Sequence, residues 1–245
     1  MPPASEHPVR AWFQSIAKRA GKMPVRIRAE QAVYGSFAEH GGGYGIVSHS
    51  PGCRPDWLAA LRRVCERFGE RPRHVTATGA LIACNVSTSA WMVVRVQELG
   101  TDDRGRPGAL GFHAFFLHPR DYRNLGGAPF PLVELFGAAR RSEIPLQAAV
   151  TPFGNEEFAT TPESERIAGE IARGHRCVLE SAEPIRSLAE TIWRQLPLRV
   201  RLRRSLATWV FANEADYDLA AVPEKATTKA PGVSSNSLIR DSVEE

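Results

Sequence analysis

The chain lacks cysteine motifs, long apolar runs and a secretory signal, each of which would indicate a particular class of protein. Its 245 residues include four cysteines and no CxxC pair, so neither a disulfide-rich scaffold nor a cysteine-based zinc site is indicated. No apolar run approaches the roughly 20 residues of a membrane-spanning helix. The longest candidates, such as Ala109–Leu117, are interrupted by glycine and histidine, and residues 1–23 lack the continuous apolar stretch of a secretory signal. We therefore expect a cytoplasmic protein with reduced thiols and no membrane partner.

A large excess of charge of one sign is also missing. The chain has 31 Lys and Arg against 27 Asp and Glu, which gives a net charge of +4 and a pI near 9.1. This net positive charge is smaller than that of a dedicated nucleic-acid-binding protein, so nucleic acid is not favoured as a partner. The local excess of positive charge lies in residues 10–28 and 194–204. The hydrophobic content of 43% is enough to build a core.

Hydrophobic patterning predicts an α+β fold with a mainly antiparallel sheet built from hairpins and about three packed helices. Apolar runs at 27–37 and 44–48 flank a glycine-rich loop, and runs at 80–86 and 91–99 flank a polar turn, so each pair predicts a β-hairpin. A further strand is expected over residues 110–118.

Helix start signals occur at three places. Pro55, Thr161-Pro162 and Pro184 each precede apolar residues at spacings of three and four. The stretches at 205–211 and 217–222 are expected to be strands, and residues 140–157 are expected to be loop-like.

The domain boundaries follow from changes in composition. Residues 1–25 form a basic leader in which a short amphipathic helix is compatible with the pattern, and residues 26–222 form the folded domain, with a soft internal boundary near 140–158. Residues 223–245 have no aromatic side chain and are rich in serine, threonine, alanine and lysine, so this tail is expected to be disordered.

The densest basic patch consists of Arg199, Arg201, Arg203 and Arg204. If residues 198–203 form a strand, the arginines alternate with apolar residues, and the first three guanidinium groups share one face. Such a face suits a phosphate or an acidic partner. The alternative is a solvated face whose arginine stems cover apolar surface.

A polar loop with paired acids is the second candidate for a binding surface. It contains Asp102, Asp103, Arg104 and Arg106, followed by turn-forming residues. Because no further metal ligand or acid/base partner is identifiable, the loop predicts an aspartate-capped turn with a local Asp–Arg pair. We predict no metal site and no cofactor.

Cys53 is the sharpest enzymatic candidate. A thiol just before a helix N-terminus is expected to have a lowered pKa, and His49, His113 and Asp102 are conceivable partners. This pattern would fit a cysteine-dependent hydrolase, although no cysteine-protease signature surrounds the residue. His113 and His118 do not predict a metal site, because residues five positions apart on a strand face opposite sides of the sheet. One of the two is expected in the core with a hydrogen-bonded ring.

Four segments in order carry a family resemblance. They are Gln31-Ala-Val-Tyr-Gly-Ser-Phe37, residues 43–52 from Gly-Tyr to Ser-His-Ser-Pro-Gly, residues 102–117 with the Asp-Asp-Arg-Gly-Arg-Pro-Gly loop and the strand after it, and residues 196–208 from Leu-Pro to Ser-Leu-Ala-Thr. Together they resemble the bacterial GTPase-associated protein N-terminal domain family, type two, over roughly residues 26–222. The resemblance implies an adaptor of predicted bacterial conflict systems, encoded with a GTPase and other effectors, and it brings no catalytic residues.

The leading functional hypothesis is therefore a non-catalytic interaction domain. It would bind a GTPase or an associated effector through residues 102–108 and the arginine patch. Two alternatives remain open at this point: a cysteine-dependent hydrolase centred on Cys53, and weak nucleic-acid binding through residues 199–204.

Overall fold

The computed structural model describes residues 23–37, 42–137, 143–154 and 158–225 of the protein. Residues 1–22 of the basic leader lie outside these ranges, and so does the predicted tail from residue 226 onward. Pro223 is the last residue of a strand, and the Glu224 amide donates a hydrogen bond to the Ser181 carbonyl at 3.1 Å. The first residues assigned to the tail therefore belong to the folded part.

Nine strands and six helices lie in the described ranges. The strands are β1 (Val25–Gly35), β2 (Gly45–His49), β3 (Ala80–Ser87), β4 (Ala90–Thr101), β5 (Pro107–Leu117), β6 (Leu146–Val150), β7 (Cys177–Ser181), β8 (Leu206–Ala207) and β9 (Leu219–Pro223). The helices are α1 (Pro55–Glu66), α2 (Pro119–Asn124), a 3-10 helix (Phe130–Leu135), α3 (Pro162–Arg173), α4 (Arg186–Gln195) and α5 (Leu198–Arg201). Only α1, α3 and α4 exceed six residues, which confirms the α+β prediction with about three helices.

All nine strands belong to one sheet. Its order is β2-β1-β5-β4-β3-β8-β9-β7, and β6 also pairs with β1. The two predicted hairpins, β1–β2 and β3–β4, are both present as antiparallel pairs. Parallel pairing occurs where β9 lies between β8 and β7, so the sheet is mainly antiparallel, as predicted.

The central strands are covered on both faces, which explains why their sequences are almost continuously apolar. On one face, helix α1 packs Leu61 and the following Phe68 against Met92 of β4 and Phe116 of β5. Leu61 and Met92 are completely buried. This face forms one of two hydrophobic clusters in the described chain.

The opposite face is covered by α2, the 3-10 helix, α3 and α4. Ile167 of α3 and Trp193 of α4 pack into the same cluster as Trp91 of β4. The Trp91 ring stacks on Tyr122 of α2 with 4.2 Å between ring centroids. Trp193 is fully buried and its Nε1 donates a hydrogen bond to the Gly127 carbonyl at 3.1 Å. The fold thus has three layers, with the sheet in the middle.

Three predictions of local structure were wrong. Residues 198–203 do not form a strand, because the amides of Val200 and Arg201 both donate to the Pro197 carbonyl and close the helical turn α5. The predicted strand at 205–211 shrinks to the two residues of β8. The segment expected to be loop-like contains β6, which pairs along the first half of β1.

Candidate anion-binding crevice

A crevice opens in the sheet where β3 and β8 stop pairing. These strands pair at Ile82↔Ala207 and Ala83↔Leu206, after which β3 continues to Ser87 while the chain before β8 turns towards α5. The separation leaves a cavity of about 340 Å³, closed on one side by α1. Its apolar and aromatic lining consists of Ala60, Val64, Val86, Trp91, Met92, Ala215 and Tyr217.

The polar lining of this crevice is strongly basic. Arg63 lies in the last turn of α1, and Arg67, four residues later, is the residue that caps its C-terminus, so both project from the same side. Arg203 and Arg204 reach the crevice from the segment between α5 and β8. The only carboxylate in the lining is Asp218, so three formal positive charges remain uncompensated.

Asp218 fixes the inner end of the crevice. Its carboxylate accepts hydrogen bonds from Arg204 Nη1 at 3.0 Å, from the Ser205 amide at 2.7 Å and from the Ser205 hydroxyl at 2.9 Å. Because Asp218 is occupied in this way, it orients Arg204 and leaves the other arginines without a carboxylate. Within the described ranges Arg63, Arg67 and Arg203 form no ion pair, and all three are exposed.

This arrangement is suited to binding and offers no activated nucleophile. Guanidinium groups bind carboxylates and phosphates through paired N–H donors, and the apolar floor strengthens such contacts by lowering the local dielectric constant. The Ser205 hydroxyl is held by Asp218. Burial raises the pKa of the Cys84 thiol, which also lines the crevice, to about 12, so it stays protonated at neutral pH.

The structure separates the arginines that the sequence grouped together. Arg203 and Arg204 line the crevice, whereas Arg199 is exposed and does not. Arg201 is 5% exposed, and its guanidinium lies 5.3 Å from the centre of the Phe153 ring. The predicted common face of Arg199, Arg201 and Arg203 is therefore wrong, because a helical turn distributes side chains around its axis.

Arg63 and Arg67 were missed by the sequence reasoning. A signal for them was present, since two arginines four residues apart on the predicted helix α1 must project from one side. What the sequence did not indicate is that β8, more than a hundred residues later, pairs with β3 and brings Arg203 and Arg204 beside this helix.

The loop at 101–107 has the predicted aspartate-capped turn. Asp102 Oδ1 accepts hydrogen bonds from the amides of Arg104 and Arg106 at 2.9 and 2.8 Å, and its Oδ2 accepts one from Arg106 Nε at 2.6 Å. Asp102 is only 5% exposed. Its burial opposes ionisation, but the bonds from Arg106 and Arg104 outweigh this and lower the pKa of Asp102.

Asp103 holds the neighbouring β1–β2 loop. Its carboxylate accepts hydrogen bonds from the Ser36 hydroxyl at 2.7 Å and from the amides of Gly42 and Gly43, both at 2.9 Å. These bonds, led by the one from Ser36, lower the pKa of Asp103 to about 2. Both acids of the loop thus serve internal structure, and among its charged residues Arg104 and Arg106 are the exposed ones.

Cys53 does not have the environment of an activated thiol. Its Sγ donates to the Gln31 carbonyl at 3.2 Å and lies 3.7 Å from the Ser50 hydroxyl. Burial raises the pKa of Cys53, and the nearby Glu30 carboxylate adds to the increase. The lowered pKa expected from the helix N-terminus is therefore wrong, because burial of the thiol is the largest influence on its pKa.

The three suggested partners of Cys53 are engaged elsewhere. His49 Nδ1 lies 3.0 Å from the Ser50 carbonyl, and Asp102 is bound by its own loop. His113 is 6% exposed, and its Nε2 donates to Gln31 Oε1 at 2.9 Å, as expected for a core histidine with a hydrogen-bonded ring. Burial, with a smaller contribution from Arg95, lowers the pKa of His113 to about 4.

Neither a metal site nor a membrane-spanning helix accompanies the crevice in the part of the chain that the structure describes. Residues 23–37, 42–137, 143–154 and 158–225 contain no group of three or more His, Cys, Asp or Glu side chains placed to hold a metal ion. No helix within these ranges is long and apolar enough to cross a membrane. Comparison of the chain with protein-family models, curated proteins and solved structures gave no match.

Proposed function

We propose that this protein is a non-catalytic interaction domain whose basic crevice receives an acidic group of a protein partner. The observation that carries the proposal is the set of four guanidinium groups around one cavity that contains a single, already occupied carboxylate. Three uncompensated charges at close range repel one another, and an incoming anion relieves that repulsion. Arginine is also the residue best suited to hold a carboxylate or phosphate with fixed geometry.

A GTPase, or an effector encoded with it, is our proposed partner. Support for this choice comes from the resemblance of residues 31–37, 43–52, 102–117 and 196–208 to a GTPase-associated family. The crevice supplies a chemical reason for the association, because an acidic surface on such a partner complements it. Nucleic acid also carries anionic groups, so its binding is a specific alternative for the experiment to decide.

The test compares capture of the partner by two charge-matched variants. The first combines Arg63→Gln, Arg67→Gln and Arg203→Gln, and the second changes three exposed arginines outside the crevice, Arg26, Arg120 and Arg123, to glutamine. Each variant, tagged and produced in the native host, is recovered at physiological and raised salt concentrations. We expect the crevice variant to lose at least about tenfold in recovery of a defined protein partner and the control to retain it, because both have lost the same net charge.

Two outcomes would contradict the proposal. Equal recovery by the two variants, with intact folding by circular dichroism, would place the contact elsewhere, first at Arg104 and Arg106. Recovery of nucleic acid in place of protein, with an affinity that falls steeply with salt in the control variant, would show that the crevice binds phosphates of a nucleic-acid backbone.

A further inference from the structure

A second, chemically different cavity lies near the end of helix α1. It has a volume of about 240 Å³ and is lined by the rings of Tyr34, Tyr44, Phe68 and Phe112, together with Glu66 and Leu110. Tyr34, Phe68 and Phe112 are at most 7% exposed, whereas Tyr44 is 47% exposed and forms the outer wall. None of these residues lines the basic crevice.

The rings surround this cavity in more than one plane. Phe112 is nearly perpendicular to both Tyr34 and Phe68, with interplanar angles of 77° and 84° and centroid distances of 6.1 and 5.4 Å. Tyr44 lies across from Tyr34 at 6.1 Å with an angle of 29°. The Tyr44 hydroxyl accepts a hydrogen bond from the Leu110 amide at 3.0 Å, which holds this exposed ring in place. Four aromatic side chains thus form a corner with a fixed outer wall.

The charge around this cavity favours a cation. Glu66 is the one ionisable carboxylate in the lining, makes no ion pair within the described ranges, and is the last residue of α1, where the helix dipole is negative. Aromatic faces add negative electrostatic potential. Burial raises the pKa of Tyr34, and Cys65 and Glu66 raise it further, while Arg62 acts in the opposite sense. The contribution of Glu66 shows that its carboxylate lies close enough to act on the Tyr34 ring.

We propose that the cavity lined by Tyr34, Tyr44, Phe68 and Phe112 binds the ammonium group of a lysine side chain from a protein partner. An ammonium group over aromatic faces is stabilised when it is at least partly removed from water, and a nearby carboxylate adds to this attraction. The four-carbon stem of lysine can contact the Leu110 side of the cavity while its charge meets the rings and Glu66.

This site is independent of the basic crevice but lies on the same helix. Glu66 and Cys65 line the aromatic cavity, and Arg63 and Arg67 line the crevice, so the last turn of α1 and its C-cap residue lie between two sites of opposite charge. A partner surface with an acidic and a basic side chain can then bind in only one orientation, which is how complementary charges give specificity. The two sites can be tested separately.

The direct experiment is a titration followed by amide chemical shifts. The probes are a short lysine-containing peptide, the same peptide with norleucine in place of lysine, and choline as a free cation. The amides of Gly69 and Leu110 are the reporters, because both residues line the cavity. We expect saturable shifts with the lysine peptide and roughly tenfold weaker binding of the neutral peptide. A cation–π contact with the rings, together with the attraction of the Glu66 carboxylate, contributes about that factor.

Matched variants locate the binding. Tyr44→Ala removes the outer wall of the cavity, and Glu66→Gln removes the charge but keeps the shape of the side chain. Each change is expected to weaken binding of the lysine peptide at least about threefold. Tyr44→Phe keeps the aromatic ring but loses the hydroxyl that accepts a hydrogen bond from the Leu110 amide, so its affinity for the lysine peptide should lie between those of Tyr44→Ala and the unchanged protein. Because Tyr44 and Glu66 are both exposed, these changes should leave the fold intact.

Several results would overturn the inference. Equal affinity for the lysine and norleucine peptides would show a simple apolar pocket. Binding that survives both Tyr44→Ala and Glu66→Gln would place the cation elsewhere, and the absence of saturable shifts at Gly69 and Leu110 would show no site. If choline binds strongly and the lysine peptide does not bind, the cavity is a site for a small molecule and not for a protein partner.

Discussion

Single residues explain why this protein is expected to attract anions at the crevice although its net charge is small. The acids Asp102, Asp103 and Asp218 are each held by several hydrogen bonds from within the chain. Arg63 and Arg67, by contrast, have no carboxylate partner among the described residues. Internal use of the acids therefore leaves positive charge available at one place on the surface.

The pKa of Asp103 predicts a specific loss of stability in acid. The folded-state pKa of about 2 lies below the usual value near 3.8, so the ionised carboxylate stabilises the fold at neutral pH. This stabilisation is fully present above about pH 4 and is lost as the pH falls towards 2. We expect Asp103→Asn to lower the melting temperature at pH 7 and to flatten its decline between pH 4 and 2.

Ser36→Ala provides the matched control for Asp103. The Ser36 hydroxyl is the largest contributor to the lowered pKa, so its removal should raise the pKa of Asp103 measured by NMR towards the usual value. An unchanged pKa in this variant would show that the amides of Gly42 and Gly43 alone hold the carboxylate.

The thiol of Cys53 is predicted to react slowly. Its pKa is raised by burial, so little thiolate is present at neutral pH. Titration of the native protein with a chromogenic disulfide reagent at pH 7 should show no fast-reacting thiol, and Cys53→Ser should leave the early time course unchanged. A single rapid equivalent that disappears in Cys53→Ser would restore the hydrolase hypothesis.

Among the helices, α3 has the clearest local stop and start signals. The Thr161 hydroxyl accepts a hydrogen bond from the Ser164 amide at 3.1 Å, and the Ser164 hydroxyl accepts one from the Thr161 amide at 3.0 Å. Gly174 ends the helix with a φ of 106°, a left-handed conformation that glycine adopts without a steric penalty. The start of this helix was predicted from Thr161 and Pro162 because these signals are local.

The capping box of α3 can be tested by one substitution. Thr161→Ala removes the hydroxyl that satisfies the Ser164 amide, and we expect it to lower the free energy of unfolding by about 1 kcal/mol. Urea denaturation measures this change. Thr160→Ala is the control, because the Thr160 side chain bonds only to the exposed Glu165 and should matter little. Equal losses in the two variants would exclude a capping role for Thr161.

Elements that depend on distant contacts were the ones that the sequence did not reveal. Strand β6 has a short, weakly patterned sequence and exists because it pairs with β1, more than a hundred residues earlier. Residues 198–201 alternate between apolar and basic as a strand does, yet the Pro197 carbonyl accepts two amides and fixes a helical turn. In so short a segment, alternation does not distinguish the two structures.

At the scale of the whole molecule, the crevice is a product of topology. Helix α1 follows the first hairpin in the chain, while β8 comes from near its end and lies between β3 and β9. Two arginines of the crevice, Arg203 and Arg204, were predicted as part of a basic patch. The other two, Arg63 and Arg67, belong to the segment that was predicted to be a helix after Pro55. Their meeting follows from the order of strands in the sheet, which local patterns do not specify.

Photocrosslinking from inside the crevice would show which molecule the crevice binds. Asn85 is exposed and lines the crevice, so a photoreactive residue at this position lies within reach of any group bound to Arg63 and Arg203. We expect a covalent adduct with one acidic protein partner from position 85, and none from a photoreactive residue in place of the exposed Gln147 of β6. If the partner is crosslinked from position 147 or 104 but not from position 85, the crevice is not where it binds.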